Sequence, residues 1–140
     1  MNYYKFFMVV VSLAFVAACS NYGTNNDDNN NVSVEAKFSS IQANIFNRSC
    51  AVSGCHDSGS QQAGLDLSSG KAYGNLVNVP SSQKPNILRV KPGDPANSYI
   101  IMKLEGASGI SGRKMPLGGS LSNEQIDAIK QWIRNGAKND

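Results

Sequence analysis

Cys50 and Cys55, with His56 directly after the second thiol, form a C-x4-C-H run. This is a lengthened version of the C-x-x-C-H haem-attachment signature. Two such thiols can form thioether links to the vinyl groups of a haem, and the adjoining imidazole can then reach the iron from one face. The opposite face needs its own ligand. Met115, in Arg113-Lys114-Met115-Pro116 between glycine-rich stretches, offers an unbranched thioether free to point at a metal. The same cysteines have other uses. In an oxidising compartment Cys50 and Cys55 can pair as a local disulfide, which leaves His56 and Met115 without a role. A structural zinc site wants four ligands where this cluster supplies three, and His56 is the only histidine of the chain.

The spacing dictates a local shape. Residues five apart are rotated by about 140° on a regular helix of about 3.6 residues per turn, so the two thiols cannot share a helical face. The segment has to bulge or loop, and Ser53-Gly54 allows it because glycine tolerates backbone angles that other residues resist.

Four elements are expected to position this run. Phe38, Ile41, Ile45 and Phe46 recur at spacings of three and four, the mark of an amphipathic helix delivering Cys50 to the core. A short helical turn is expected around Lys71 to Val77. Asp94-Pro95 reads as an N-cap with proline at the first helical position, opening a helix through Ser98 to Leu104 that Gly106 stops. That helix is apolar nearly all round and should be buried. Ser122 begins a capping box with Gln125, and Ile126, Ile129, Trp132 and Ile133 form one stripe that ends at Gly136. No convincing strand alternation and no internal repeat is present. The expected fold is all-α, a small domain whose long loops are organised by a cofactor.

The beginning of the chain reads differently. Residues 1–18 carry Lys5 and then the apolar run from Phe6 onward, the pattern of an export signal. Val16-Ala17-Ala18-Cys19 resembles a lipoprotein lipobox, which implies that Cys19 is lipidated and anchors the chain in a membrane. A cleaved soluble signal and an uncleaved membrane helix are the competing readings. Residues 19–36, rich in Asn and Asp, read as a disordered tether, with a span of about 20–25 Å for so flexible a segment. The haem-type domain is expected over residues 37–140.

Hydrophobic residues make up 41% of the chain, but 15 of them fall within residues 1–18. The remainder is a thin core for a domain of this size, and it would gain from a flat apolar cofactor buried at its centre. Once Lys5 is set aside, 12 basic residues face 10 acidic ones, so no nucleic-acid footprint is visible.

Taken together these elements resemble the single-haem c-type cytochromes, and more closely the planctomycete-type cytochrome c domains. Those share a lengthened spacing between the haem cysteines, a Gly-Leu-x-Leu segment, a Pro-Gly-x-Pro-x-x-Ser helix entry, a Met-Pro ligand loop and a closing Trp-Ile-x-x-Gly-Ala. Here the counterparts are Cys50 to His56, Gly64 to Leu67, Pro92 to Ser98, Met115-Pro116 and Trp132 to Ala137. The resemblance implies one covalent haem c per chain on Cys50 and Cys55, with His56 as proximal ligand and Met115 as distal ligand. Together with the lipobox, it leads to the expectation of a lipid-anchored, periplasm-facing protein of the cell envelope that carries single electrons between redox partner proteins and is not an enzyme. Ser20 lacks the aspartate that favours inner-membrane retention in enteric-type lipoproteins, which makes the outer membrane the default.

The rivals are a non-redox lipoprotein domain stapled by a Cys50–Cys55 disulfide, and a haem sensor or peroxidase with a labile Met115. Met102, the other methionine past the signal, sits inside a helical pattern and reads as core filler. Arg113 and Lys114 would meet haem carboxylates, an acidic partner or plain solvent. Trp132 would border the haem edge or simply pack its helix. His56 is expected to donate its second ring nitrogen to a carbonyl or carboxylate.

Overall fold

The computed structural model describes residues 33–140; the expected signal, Cys19 and most of the tether lie outside the described residues. Helix α1 (Phe38–Ile41) continues without a break into a π-helical segment (Gln42–Cys50), followed by a 3-10 turn (Gln62–Gly64) and by α2 (Ala72–Leu76), α3 (Tyr99–Glu105) and α4 (Asn123–Arg134). Among the described residues there is no strand. Two isolated bridges, Val77 with Val90 and Pro80 with Leu88, tie the long connection after α2. No described helix is long and apolar enough to cross a membrane.

The apolar spacing at the start of the domain does what it predicts. Phe38, Ile41, Ile45 and Phe46 are all buried. Phe38 stands at the crossing of the first and last helices, with its ring 5.6 Å from that of Trp132 and 5.2 Å, edge to face, from that of Tyr73. Aromatic contacts of this kind add to the gain from burial. Trp132 is fully buried in this cluster, and its Nε1–H donates to the Lys138 carbonyl at 2.8 Å. Its role is helix packing. Beyond it the chain turns through Gly136 and Ala137, both at positive φ. The tail then runs back to α1. The Asp140 side chain accepts the Phe38 N–H at 2.9 Å and its carbonyl the Ser39 N–H at 2.8 Å. Two otherwise orphaned donors of α1 are thereby satisfied.

Helix α4 starts as its sequence dictates. The Gln125 N–H donates to Ser122 Oγ at 3.3 Å, and the Ser122 N–H donates to Gln125 Oε1 at 2.9 Å. Ile126, Ile129, Trp132 and Ile133 face the core. Replacing Ser122 with alanine is expected to cost about 1 kcal/mol, the usual loss for an N-cap. Denaturant unfolding of the otherwise unaltered protein would measure it.

Helix α3 departs from expectation. It begins at Tyr99, because Ser98 is extended at φ −98°, ψ 119°. Asp94 instead organises a turn, its carboxylate accepting the Asn97 backbone and side-chain N–H groups. The Ser98 hydroxyl accepts the Lys91 N–H at 2.9 Å and donates to the Asp94 carbonyl at 2.8 Å, so it is committed before the helix starts. The first amides of α3 go elsewhere: Tyr99 N–H to the Leu88 carbonyl and Ile100 N–H to the Arg89 carbonyl. Tyr99, Ile101, Lys103 and Leu104 are buried, as the apolar character of the helix predicts. Lys103 is the exception in kind.

Candidate functional site

The helix that delivers Cys50 widens as it approaches the motif. Its closing hydrogen bond, from the Ala51 N–H to the Phe46 carbonyl at 2.7 Å, spans five residues, the widened turn that often marks functional segments of helices. The chain then leaves the helix at Ala51. The Cys55 N–H donates to the Val52 carbonyl and the His56 N–H reaches back to the Cys50 carbonyl at 3.1 Å. Gly54, at φ +80°, makes that reversal. The loop demanded by the five-residue spacing is therefore present, and it turns both thiols toward the same space.

That space is a cavity of about 490 Å³, inside the range of small-molecule and cofactor sites, roughly 300–1,000 Å³. Cys50, Cys55, His56 and Met115 all line it. The remaining wall is largely aliphatic and aromatic, with Ile45 and Phe46 from the π-helical segment, Leu76 from α2, Leu104 from α3, and Ile129 from α4. Met102 and Trp132 do not line it. Four residues spread over 66 positions of the sequence thus meet around one apolar volume.

His56 is held at both ends by the Gly64-Leu65-Asp66-Leu67 segment. The Leu67 N–H donates to the His56 carbonyl at 2.7 Å, and the ring Nδ1 lies 3.2 Å from the Leu65 carbonyl. A carbonyl can only accept, so Nδ1 is the donor, and Nε2 is the ring atom left to meet a metal. Among the described residues Nε2 makes no hydrogen bond. The partner that the sequence leaves unspecified is thus the Leu65 carbonyl, whose own side chain also lines the cavity. Asp66 supports the turn by accepting the Ser68 N–H at 2.9 Å, a bond that holds its carboxyl below the usual value.

The two cysteine sulfurs are unbonded to each other. Burial, and then the neighbouring Cys55, pushes the Cys50 thiol up to about 12, so it is neutral at pH 7. Among the described residues no three His, Cys, Asp or Glu side chains come together as a metal-binding group.

The charges of the cavity wall come from residues that sequence reasoning passed over. Arg113 and Lys114 are exposed and do not line the cavity. Arg89 and Lys103 do, and each is only 8% exposed. Arg89 donates to the carbonyls of Asn75 at 2.8 Å and Gly64 at 2.9 Å. Lys103 donates to the carbonyls of Ser111 at 2.8 Å and Arg113 at 2.7 Å. Burial lowers the pKa of both, and neither has a carboxylate partner among the described residues. A signal existed for Lys103: it is the only charge between Tyr99 and Leu104 in an otherwise apolar helix.

No protein-family model matches the chain, and no curated protein or solved structure matches it. What the site can do follows from its own chemistry. The cavity offers apolar walls, two thiols able to attach a group covalently, an imidazole and a thioether able to ligate a metal, and two buried cations able to meet acidic substituents.

Proposed function

We propose that residues 37–140 form a c-type cytochrome domain that carries single electrons through one haem c, attached at Cys50 and Cys55 and ligated by His56 and Met115. The observation that carries this reading is the meeting of all four residues on one apolar cavity, although Met115 lies 59 residues beyond His56. When bound, the haem supplies a one-electron iron couple. Every other part of the task falls to the chain. His56, oriented by the Leu65 carbonyl, presents Nε2 to the metal. Met115 supplies a neutral sulfur, and a His/Met pair raises the potential relative to two histidines. The apolar wall excludes water and lowers the local dielectric, which also favours the reduced, less charged state. Arg89 and Lys103 would offset the carboxylates of the group.

His56 and Met115 would each supply a ligand to the metal from the chain itself, which suits a carrier and not a catalyst. A spectroelectrochemical titration tests this reading. The expected result is a reversible one-electron transition with sharp reduced-state bands, and no carbon monoxide binding by the reduced protein. Rapid carbon monoxide binding by the native protein would favour the sensor or peroxidase reading, in which Met115 leaves the iron.

The anchor is proposed on Val16-Ala17-Ala18-Cys19. Changing Cys19 to serine is expected to abolish lipid labelling and release the protein from membranes with the haem spectrum unchanged. Fractionation of labelled cells checks it; a protein that stays membrane-bound and unprocessed in both forms carries a transmembrane signal instead.

A further inference from the structure

Tyr99 and Lys103, four residues apart on α3, share one face of that helix, and both reach the loop that carries Met115. The Lys103 ammonium donates to the Ser111 carbonyl at 2.8 Å and the Arg113 carbonyl at 2.7 Å. The Tyr99 hydroxyl accepts the Ser111 N–H at 2.9 Å. The Lys103 carbonyl accepts the N–H of Met115 itself at 2.8 Å. Residues 111, 113 and 115 are thus each tied to the same short helix. Gly112, at φ +70°, lets its two flanking carbonyls converge on one ammonium. A Cβ there would lie 3.9 Å from Lys103 Nζ, an ordinary contact, so the backbone angle and not space calls for glycine.

The energetics give this arrangement a direction. A buried ammonium is costly unless its lost hydration is replaced, and here loop carbonyls replace it. The interactions that solvate Lys103 are therefore the same ones that hold the loop. We propose that Lys103, together with Tyr99, is a positioning residue that fixes the Met115 sulfur on the cavity side of its loop and so decides whether methionine stays on the iron. The proposal rests on the haem reading above. A functional ligand has to be held to within about 0.5 Å of its productive geometry by neighbours that are themselves fixed, and the loop's other residues from 112 to 114 are exposed.

The test compares the full-length protein with Lys103→Met, Lys103→Arg and Tyr99→Phe, reading haem stain, the sulfur-to-iron band of the oxidised protein and carbon monoxide binding by the reduced protein. Lys103→Met is expected to keep its haem, lose the band and bind carbon monoxide. Lys103→Arg, which restores charge and donors, is expected to recover the band, and Tyr99→Phe to weaken it. A Lys103→Met protein with an intact band overturns the proposal, even if its potential shifts, because the lysine would then act only as a wall charge. Equal loss in Lys103→Arg also overturns it, since volume and not donation would be at work. If Lys103→Met does not accumulate, an unchanged band in Tyr99→Phe decides against the clamp. Absence of haem from the native protein overturns the haem reading and this proposal together, whereas a native band that survives the variants overturns this proposal alone.

Discussion

Replacing both Cys50 and Cys55 with serine is expected to leave a domain without covalent haem and without a cooperative melt. The cavity of about 490 Å³ lies against the core of the described domain, with the buried Ile45, Phe46, Leu76 and Ile129 along its walls. Unfilled apolar volume costs about 24 cal/mol per Å³ in closed cavities, so leaving even part of this space empty weighs against a typical domain stability of about 5–15 kcal/mol. Water entering from the open side recovers part of that cost. The apolar walls still lose their dispersion partners on one side. Calorimetry and near-ultraviolet dichroism would follow the outcome. A sharp, cooperative transition in haem-free double mutant would show that the helices pack adequately by themselves, and the cofactor would then be a passenger in the fold.

Replacing Met115 with alanine is expected to remove the sulfur-to-iron charge-transfer band at the red end of the oxidised spectrum, lower the potential and open the iron to carbon monoxide. Met102→Leu is the control. Met102 lies on α3 outside the cavity lining, and a volume-conserving swap there should cost under about 1.5 kcal/mol and leave the spectrum intact. The contrast matters more than either result. A band that persists in Met115→Ala and vanishes in Met102→Leu would reverse the ligand assignment, and a band indifferent to both would remove methionine from the iron and the raised potential with it.

What was legible in the chain was local. The capping box at Ser122 and Gln125, the apolar stripe of α4 and the spacing of Phe38 to Phe46 each specify their element within one or two turns, and each forms as read. The C-x4-C-H run is legible for the same reason: its spacing forbids a common helical face, and Gly54 at φ +80° supplies the reversal. The start of α3 at Tyr99 shows where local signals stop. Asp94-Pro95 has the chemistry of a helix entry, but the hydroxyl of Ser98 is taken by Lys91 and the first helical amides by Leu88 and Arg89. These partners come from the preceding connection, and the pattern of α3 itself carries no trace of them.

The same limit hid the cations of the site. A charged side chain is ordinarily read as solvated, and Arg113 and Lys114 attract attention only because they adjoin Met115. Arg89 and Lys103 are buried because carbonyls of residues 63–64, 75, 111 and 113 come to meet them. Loop backbone, assembled by the tertiary fold, makes those positions tolerable for a charge. His56 illustrates the intermediate case. That its second nitrogen needs an acceptor follows from imidazole chemistry, but that the acceptor is the Leu65 carbonyl follows only from the way the Gly64 to Leu67 segment folds back.

A haem bound through two thioethers is tested most directly by a pyridine haemochrome spectrum of the purified protein paired with haem staining on a denaturing gel. Thioether bonds survive boiling and detergent, so one c-type haemochrome per chain and a stained band at the size of the polypeptide are expected. A polypeptide band without stain, together with no haemochrome, would contradict it and leave Cys50, Cys55 and His56 to another chemistry.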